Sequence, residues 1–286
     1  MSDDLQKLLA IIKLREVDEV TFIGDNVPVF FNQVFGGQIL AQALSAALRT
    51  VPQDRIVHSS HAYFIRRGNP QQPITFTVEN VRDGGSFNTR RVVASQQDQS
   101  IFITSFSFQT RESGHRFQVP MPATLEPDTL GDESERWNQH PLVVAKPEMR
   151  THFQPLDIRH TAPVDWFEPE VQSPQTGVWM RTRGRLPDQA AVHQSMLAYF
   201  SDFFLYGTSL RPHALSIHMP SMQSASLDHS IWFHDDFRAD EWLYYDLESS
   251  WTGNARGLNF GKFFTRDGRL VASTAQEGLM RVRKDR

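Results

Sequence analysis

The 286-residue chain contains no cysteine. That absence excludes disulfides, thiolate metal sites and a cysteine nucleophile together. It also suits a protein that handles a free thiol, since no mixed disulfide can form, and it predicts a reducing, cytoplasmic setting. No run approaches the ~18 apolar residues of a membrane span. The opening MSDDLQKLLAIIKLREV is acidic at once and lacks the basic stretch and cleavage site of a signal peptide. The closing RVRKDR carries no peroxisomal address. Positive charge is not in excess: the net charge is -4. No global field therefore exists to hold nucleic acid or an anionic membrane, and neither is expected as a partner. A ligand bearing phosphates would need a local basic cluster. There is no glycine-rich nucleotide loop, and Gly207-Thr208-Ser209-Leu210-Arg211 lacks the second glycine of a nucleophile elbow.

What is present is a globular composition with 40% apolar residues and phenylalanine in excess, 21 copies against 5 tyrosines, which implies large interiors or an apolar channel. An opening helix over 3–16 carries Leu5, Leu8, Leu9, Ile12 and Leu14 on one broad stripe. In VFGGQILAQALSAALRTV, Gly36 and Gly37 open a second helix. Its small residues permit close approach on nearly every side, as a helix wrapped by a sheet requires. HAYFIR, ITFTVENV, SFNTRRVVAS and IFITSFSFQ then read as strands. Residues 110–175 break this rhythm with scattered prolines. They read as an irregular connector with a short helix near 132–139 and a strand near Ile158 to Trp166.

The remainder repeats the first part in order: a strand from Gly177 to Arg185, a helix from Asp188 to Tyr206, then SIWFHDD, EWLYYDLESS, RGLNFGKFFT and RLVASTAQEGLMR as strands. His61-Ala62-Tyr63-Phe64 aligns with Ser230-Ile231-Trp232-Phe233 at an offset of 169 (230 − 61). Asp98 through Phe102 align with Asp267 through Val271 at the same offset (267 − 98 = 169). Leu40 aligns with Leu197 at 157, which places an insertion of 12 residues after the second helix. Two degenerate helix-then-sheet units indicate an internal duplication. The expected units are 1–115 and 176–286, joined by a connector over 116–175, in one continuous sheet.

VFGGQILAQAL, HSSHAYFIRRGNP, RDGGSFNTRR, LAYFSD, LDHSIWFH, ARG and VASTAQEGLMR recur in an order that resembles the type II acyl-CoA thioesterase family along the whole chain. The resemblance implies an α+β double hot-dog, in which two central helices are each wrapped by an antiparallel sheet. It further implies acyl-CoA as substrate, no cofactor, no metal, and assembly into homo-oligomers, either dimers or tetramers. The family activates water with a trio: an Asp on the second central helix, a Thr or Ser before the Asp-His-Ser strand, and a Gln near the last strand. Asp202, Ser226 and Gln276 occupy those positions. Ser226 replaces the commoner Thr and keeps the hydroxyl. Arg67 replaces the proline of the family's Arg-Pro-Gly turn.

The residues suit this chemistry on their own terms. A thioester carbonyl is electrophilic and its thiol leaves readily, so one carboxylate with two hydrogen-bonding helpers suffices to position water. Asp202 lies among Phe200, Phe203 and Phe204, where burial disfavours its charged form and raises its basicity. A structural buried carboxylate is the bland alternative; Ser226 and Gln276 alone would read as ordinary polar residues. The helix start at Gly36-Gly37 offers backbone N–H groups for an oxyanion, or simply close helix packing. Arg66 with Arg67, Arg90 with Arg91, or Arg256 with Lys262 are candidates for coenzyme A phosphates. His58 and His61 sit three apart on opposite faces of a strand, with no third metal ligand nearby, and His58 is a lesser candidate base. Two rivals stand. An enoyl-CoA hydratase-like hot-dog enzyme would use Asp188 and His193, although the intervening Asn-Pro of that family is here Ala190-Ala191. A non-catalytic acyl-CoA-binding protein would not need all three members of the trio.

Overall fold

The computed structural model describes residues 3–26, 33–146, 155–162 and 164–283. Five α-helices are described: α1 (Asp3–Ile11), α2 (Gly36–Leu48), α3 (Glu133–Gln139), α4 (Pro141–Ala145) and α5 (Ala190–Ser201). Among the described residues thirteen strands form one sheet. In the first half these are β1 (Arg15–Glu16), β2 (Thr21–Gly24), β3 (Arg55–Phe64), β4 (Ile74–Asp83), β5 (Phe87–Gln96) and β6 (Gln99–Thr110). In the second they are β7 (Leu156–His160), β8 (Gln175–Thr182), β9 (Met222–Ser226), β10 (Asp228–Phe233), β11 (Leu243–Gly253), β12 (Arg256–Thr265) and β13 (Leu270–Val282).

The strand order β1-β2-β4-β5-β6-β3-β10-β13-β12-β11-β8-β7 is the same path walked twice, outward from the β3–β10 junction. Every pairing is antiparallel, and β9 adds to β13 off this path. The duplication is visible in the register. His61 pairs with Ser230, and the neighbours pair symmetrically about them, Ser60 with Ile231 and Ala62 with His229. A residue paired with its own repeat equivalent lies on the pseudo-twofold axis, so the sequence offset of 169 is also the symmetry of the junction. The two halves therefore share one continuous sheet. Its concave side holds α2, buried on nearly every face, against α5. Ala41, Ala43, Ala46 and Ala47 are fully buried, and their small side chains let the helices and sheet approach closely. The core is continuous across both halves.

Several boundaries differ from the sequence reading. The first helix stops at Ile11, because Arg15 and Glu16 leave it to pair with Ile23 and Phe22. The second central helix stops at Ser201. Phe204 adopts a left-handed backbone (φ 64) and the chain tightens into a 3₁₀ segment over Tyr206–His213. This segment and β9 occupy the place of the insertion expected after the second helix. The hairpin alignment slips by one residue. The first turn spans Gln97-Asp98, both with positive φ, whereas the second has Gly268 in the left-handed region and is longer. After the turn the offset becomes 170, so Thr104 opposite Val92 corresponds to Thr274 opposite Gly261 (274 − 104). In the connector, α3 forms where expected, its start capped by the Asp132 carboxylate accepting the Ser134 N–H. The strand near 158 ends at His160, short of Trp166. Connector residues 147–154 and Pro163 lie outside the described residues.

Candidate active site

Asp202 caps the C-terminal end of α5, where the unpaired carbonyls of the helix disfavour an anion. Its Oδ2 accepts the Gly37 N–H at 2.9 Å, one residue into α2. Its Oδ1 accepts from the Gln276 amide Nε2 at 2.6 Å, and the same amide reaches the Ser226 hydroxyl at 3.2 Å. Asp202, Ser226 and Gln276 thus come together from α5, β9 and β13, separated in sequence but joined by the β9–β13 pairing. Gln276 is fully buried, and its Oε1 has no partner among the described residues. Burial pushes the Asp202 carboxyl up to about 6, with the bonds from Gln276 and Gly37 opposing part of that rise. Such a group is a stronger base than an ordinary aspartate and is still largely ionised at neutral pH.

The two glycines are required by this contact. A Cβ on Gly36 would stand 2.6 Å from Asp202 Oδ2, and one on Gly37 would stand 2.4 Å from the Tyr199 carbonyl. The Gly37 N–H is engaged by Asp202, so it orients the carboxylate. That N–H, one of those expected to serve an oxyanion, is therefore occupied. Asp202 and Ser226 line a cavity of about 210 Å³. Phe35, Phe203 and Phe204, chain neighbours of Gly36 and Asp202, form its apolar wall with Trp137, Trp166 and Leu210. Trp137 and Trp166 come from the connector. Sequence reasoning passed over them because aromatic residues in a proline-broken stretch show no period.

Other candidates fall elsewhere. Arg90 is buried, donating to Thr50 and Asp83, and so holds the fold. Arg91 pairs with Glu79, Arg256 with Glu277, and Lys262 with Asp246 and Glu248. Arg66 and Arg67 are exposed beside Gly68, whose carbonyl accepts the N–H of the cavity residue Val34. His58 and His61 share the outer face of the sheet. A bulge between Val57 and Ser59 resets the alternation that would have opposed them. His58 bonds to the Ser107 hydroxyl and His61 to that of Ser230, and neither lines the cavity. Asp188 is exposed and paired with Arg238, while His193 Nδ1 accepts the Ala239 N–H. That pair is committed to structure. Among the described residues no cluster of three metal-ligating side chains exists. No described helix is long and apolar enough to cross a membrane.

A basic carboxylate steadied by an amide and a helix start, facing a largely apolar cavity, has the chemistry to position and deprotonate a water. The family described as acyl-CoA thioesterase matches residues 150–279, and the one described as acyl-CoA thioesterase N-terminal domain matches residues 28–109. The chain is 38% identical to acyl-CoA thioesterase 2 of Haemophilus influenzae over 98% of this chain and 99% of that protein. The crystal structure of acyl-CoA thioesterase II TesB2 from Mycobacterium marinum superposes with a TM-score of 0.80 at 39% identity, covering 96% of this chain and 97% of that one. A protein of unknown function with a hot-dog fold from Alicyclobacillus acidocaldarius, at 19% identity and a TM-score of 0.77 over 99% of this chain and 100% of that one, shares the fold. The chain belongs to the acyl-CoA thioesterase family. It is a double hot-dog enzyme that hydrolyses acyl-CoA thioesters.

Proposed function

We propose that the enzyme releases free fatty acid and coenzyme A from fatty acyl-CoA with a water held by Asp202, Ser226 and Gln276. The observation that carries this reading is the Asp202 carboxylate, made basic by burial and fixed between Gly37 and Gln276 in the cavity wall. Asp202 takes a proton from the water. The water oxygen attacks the thioester carbon, the C–S bond breaks, and the proton returns from Asp202 to the departing sulfur. A typical thiol has a pKa near ~8.5, so departure needs little acid assistance. Ser226 donates to or accepts from the water, and the Gln276 amide keeps Asp202 and Ser226 in register. Arg66 and Arg67, next to Gly68 whose carbonyl binds the N–H of the cavity residue Val34, take the coenzyme A phosphates.

The division into units over 1–115 and 176–286 with a connector over 116–175 belongs to the same proposal. Its support is the repeated strand path and the two separate family matches. Work in fatty acid metabolism in the cytoplasm, as a homodimer or homotetramer, completes it. The cysteine-free sequence supports the compartment, and exposed Tyr63, on β3 near the pseudo-twofold axis, supports assembly.

Thiol release from decanoyl-CoA across pH tests the mechanism. The unprotonated Asp202 is the base, so kcat/KM should rise with pH through about 6 and then level, in the presence of EDTA. A flat profile from pH 4 to 8 would remove Asp202 from the base role.

A further inference from the structure

Part of the lining of the cavity that Asp202 faces is polar in a way its apolar wall does not require. Arg211, on the 3₁₀ segment, and His160, on β7, both line it, and each is more than nine-tenths buried. Gln172 and Thr176 line it beside them. The four are neighbours. His160 feels the charge of Arg211, the Gln172 N–H binds the Arg211 carbonyl at 3.0 Å, and Thr176 follows Gln172 into β8. Among the described residues, both ring nitrogens of His160, the Gln172 Oε1 and the Thr176 hydroxyl have no hydrogen-bond partner. Arg211 uses Nε on the Ser173 carbonyl at 2.8 Å and forms no ion pair among the described residues. The nearby Glu133 carboxylate is occupied, accepting from Arg136 and from the Trp166 indole, and stands 4.0 Å from His160. Glu170, at the exposed rim of the cavity, makes no ion pair with Arg211 either.

A buried guanidinium without a counter-charge is costly, and so are buried hydroxyl, amide and imidazole groups without partners. A saturated chain ending in a methyl group would leave every one of them unmatched. A chain ending in a carboxylate would meet two donors from Arg211, one from Thr176 and one from the neutral imidazole of His160. Arg is the side chain whose fork fits a carboxylate. We propose that this cavity takes acyl chains ending in a carboxylate, so that ω-carboxyacyl-CoA thioesters are substrates and Arg211 is the residue that selects them. The proposal rests on the reading that the cavity holds the acyl chain while Asp202 acts on its thioester.

The test measures thiol release from matched pairs: octanoyl- with suberoyl-CoA, decanoyl- with sebacoyl-CoA, and dodecanoyl- with dodecanedioyl-CoA. In at least one pair the wild-type kcat/KM for the ω-carboxy member should equal or exceed that for its monocarboxylic partner. Arg211→Gln should lower kcat/KM for that ω-carboxy substrate by about 10-fold or more, mainly through KM, while the monocarboxylic partner changes by less than about 3-fold or improves. Arg211→Lys keeps the charge and should fall between. Thr176→Val removes one donor and should shift the ratio in the same direction by less. Circular dichroism and thermal melts identify a variant that has lost its fold, and Arg211→Lys and Thr176→Val then carry the test. Wild-type hydrolysis of the monocarboxylic substrates with rejection of every ω-carboxy partner overturns this proposal and leaves the thioesterase reading standing. So does an equal loss on both members in Arg211→Gln. Absence of hydrolysis of all six sinks the thioesterase reading instead. Calorimetry with sebacate against decanoate then decides on binding alone: preference for sebacate that Arg211→Gln abolishes supports the site, and no preference overturns it.

Discussion

The two halves share a path and differ in what fills it. In each, a helix packs inside strands in the order β3-β6-β5-β4 or β10-β13-β12-β11, and the edge continues through β2 or β8. Gln276 lies opposite Asn259 in the second half, and the equivalent pair in the first is Phe106 opposite Arg90. Phe106 is fully buried and apolar, and Arg90 is spent on Asp83 and Thr50. At the helix offset that aligns Leu40 with Leu197, Asp202 corresponds to Ser45 (202 − 157), whose hydroxyl donates to the Ile12 carbonyl. The second half also has the 3₁₀ segment and β9 after its helix, and these supply Ser226 and much of the cavity wall. The first half contributes the start of α2, whose Gly37 N–H holds Asp202. In the proposed site one half carries Asp202, Ser226 and Gln276 and the other holds Asp202 through the Gly37 N–H.

The largest effects should come where the first half touches the second. Gly37→Ala sets a methyl 2.4 Å from the Tyr199 carbonyl, which is backbone and cannot swing away. Gly36→Ala sets one 2.6 Å from the Asp202 carboxylate. Each should cut turnover by ~10²-fold or more, since misplacing a reacting group by about 1 Å costs that much. Gly114→Ala and Gly131→Ala, which meet nothing within 4 Å, should leave thiol release unchanged. A fully active Gly37→Ala enzyme would separate the halves functionally and break the comparison.

Effects on the amide and hydroxyl should be smaller. Gln276→Ala removes the bond to Asp202 and should cost about 10- to 100-fold in kcat, with Ser226→Ala costing less and Ser226→Thr remaining active. The counterpart Phe106→Leu should lower stability by ~1 kcal/mol in denaturant unfolding while kcat stays put. Loss of turnover in Phe106→Leu equal to that in Gln276→Ala would contradict the asymmetry. Smallest of all, Asp188→Asn should leave turnover within about twofold, because that carboxylate is exposed and only pairs with Arg238. His193→Gln should behave alike, apart from stability lost with the bond to the Ala239 N–H. A folded but inactive His193→Gln enzyme would move the chemistry to the hydratase-like pair.

Much of the fold is legible in the sequence because the repeat is written in strand-length segments. RGLNFGKFFT is β12 to the residue. The strands at Thr21–Gly24 and Met222–Ser226 are not legible, the first being only four residues long and the second lacking an apolar alternation, and each pairs with a neighbouring strand edge. The end of α5 is also hidden, since no glycine or proline marks it and Phe204 takes the left-handed conformation itself. For the site, resemblance names Asp202, Ser226 and Gln276, and the structure places them within hydrogen-bonding distance. The Gly37 contact, the connector tryptophans and the polar group around Arg211 depend on tertiary approach, and no local pattern announces them.

The central claim is that one carboxylate, Asp202, is the base, and the direct measurement is Asp202→Asn in a folded protein. Its amide can still accept the Gly37 N–H, and a turned Gln276 amide can bond the new NH₂, so the fold should stand. Wild-type Asp202 has a native pKa of about 6 against an unfolded value of 3.8, so the native state binds the proton more tightly and its stability falls as pH rises through that window. Asparagine carries no such cost, and the variant should be more stable than wild type at pH 7.5, by ~1–3 kcal/mol, with the gain gone at pH 4. At the same pH 7.5, turnover of decanoyl-CoA should fall by roughly 10²–10⁴-fold. A folded Asp202→Asn enzyme that releases thiol at near wild-type rate would contradict the account.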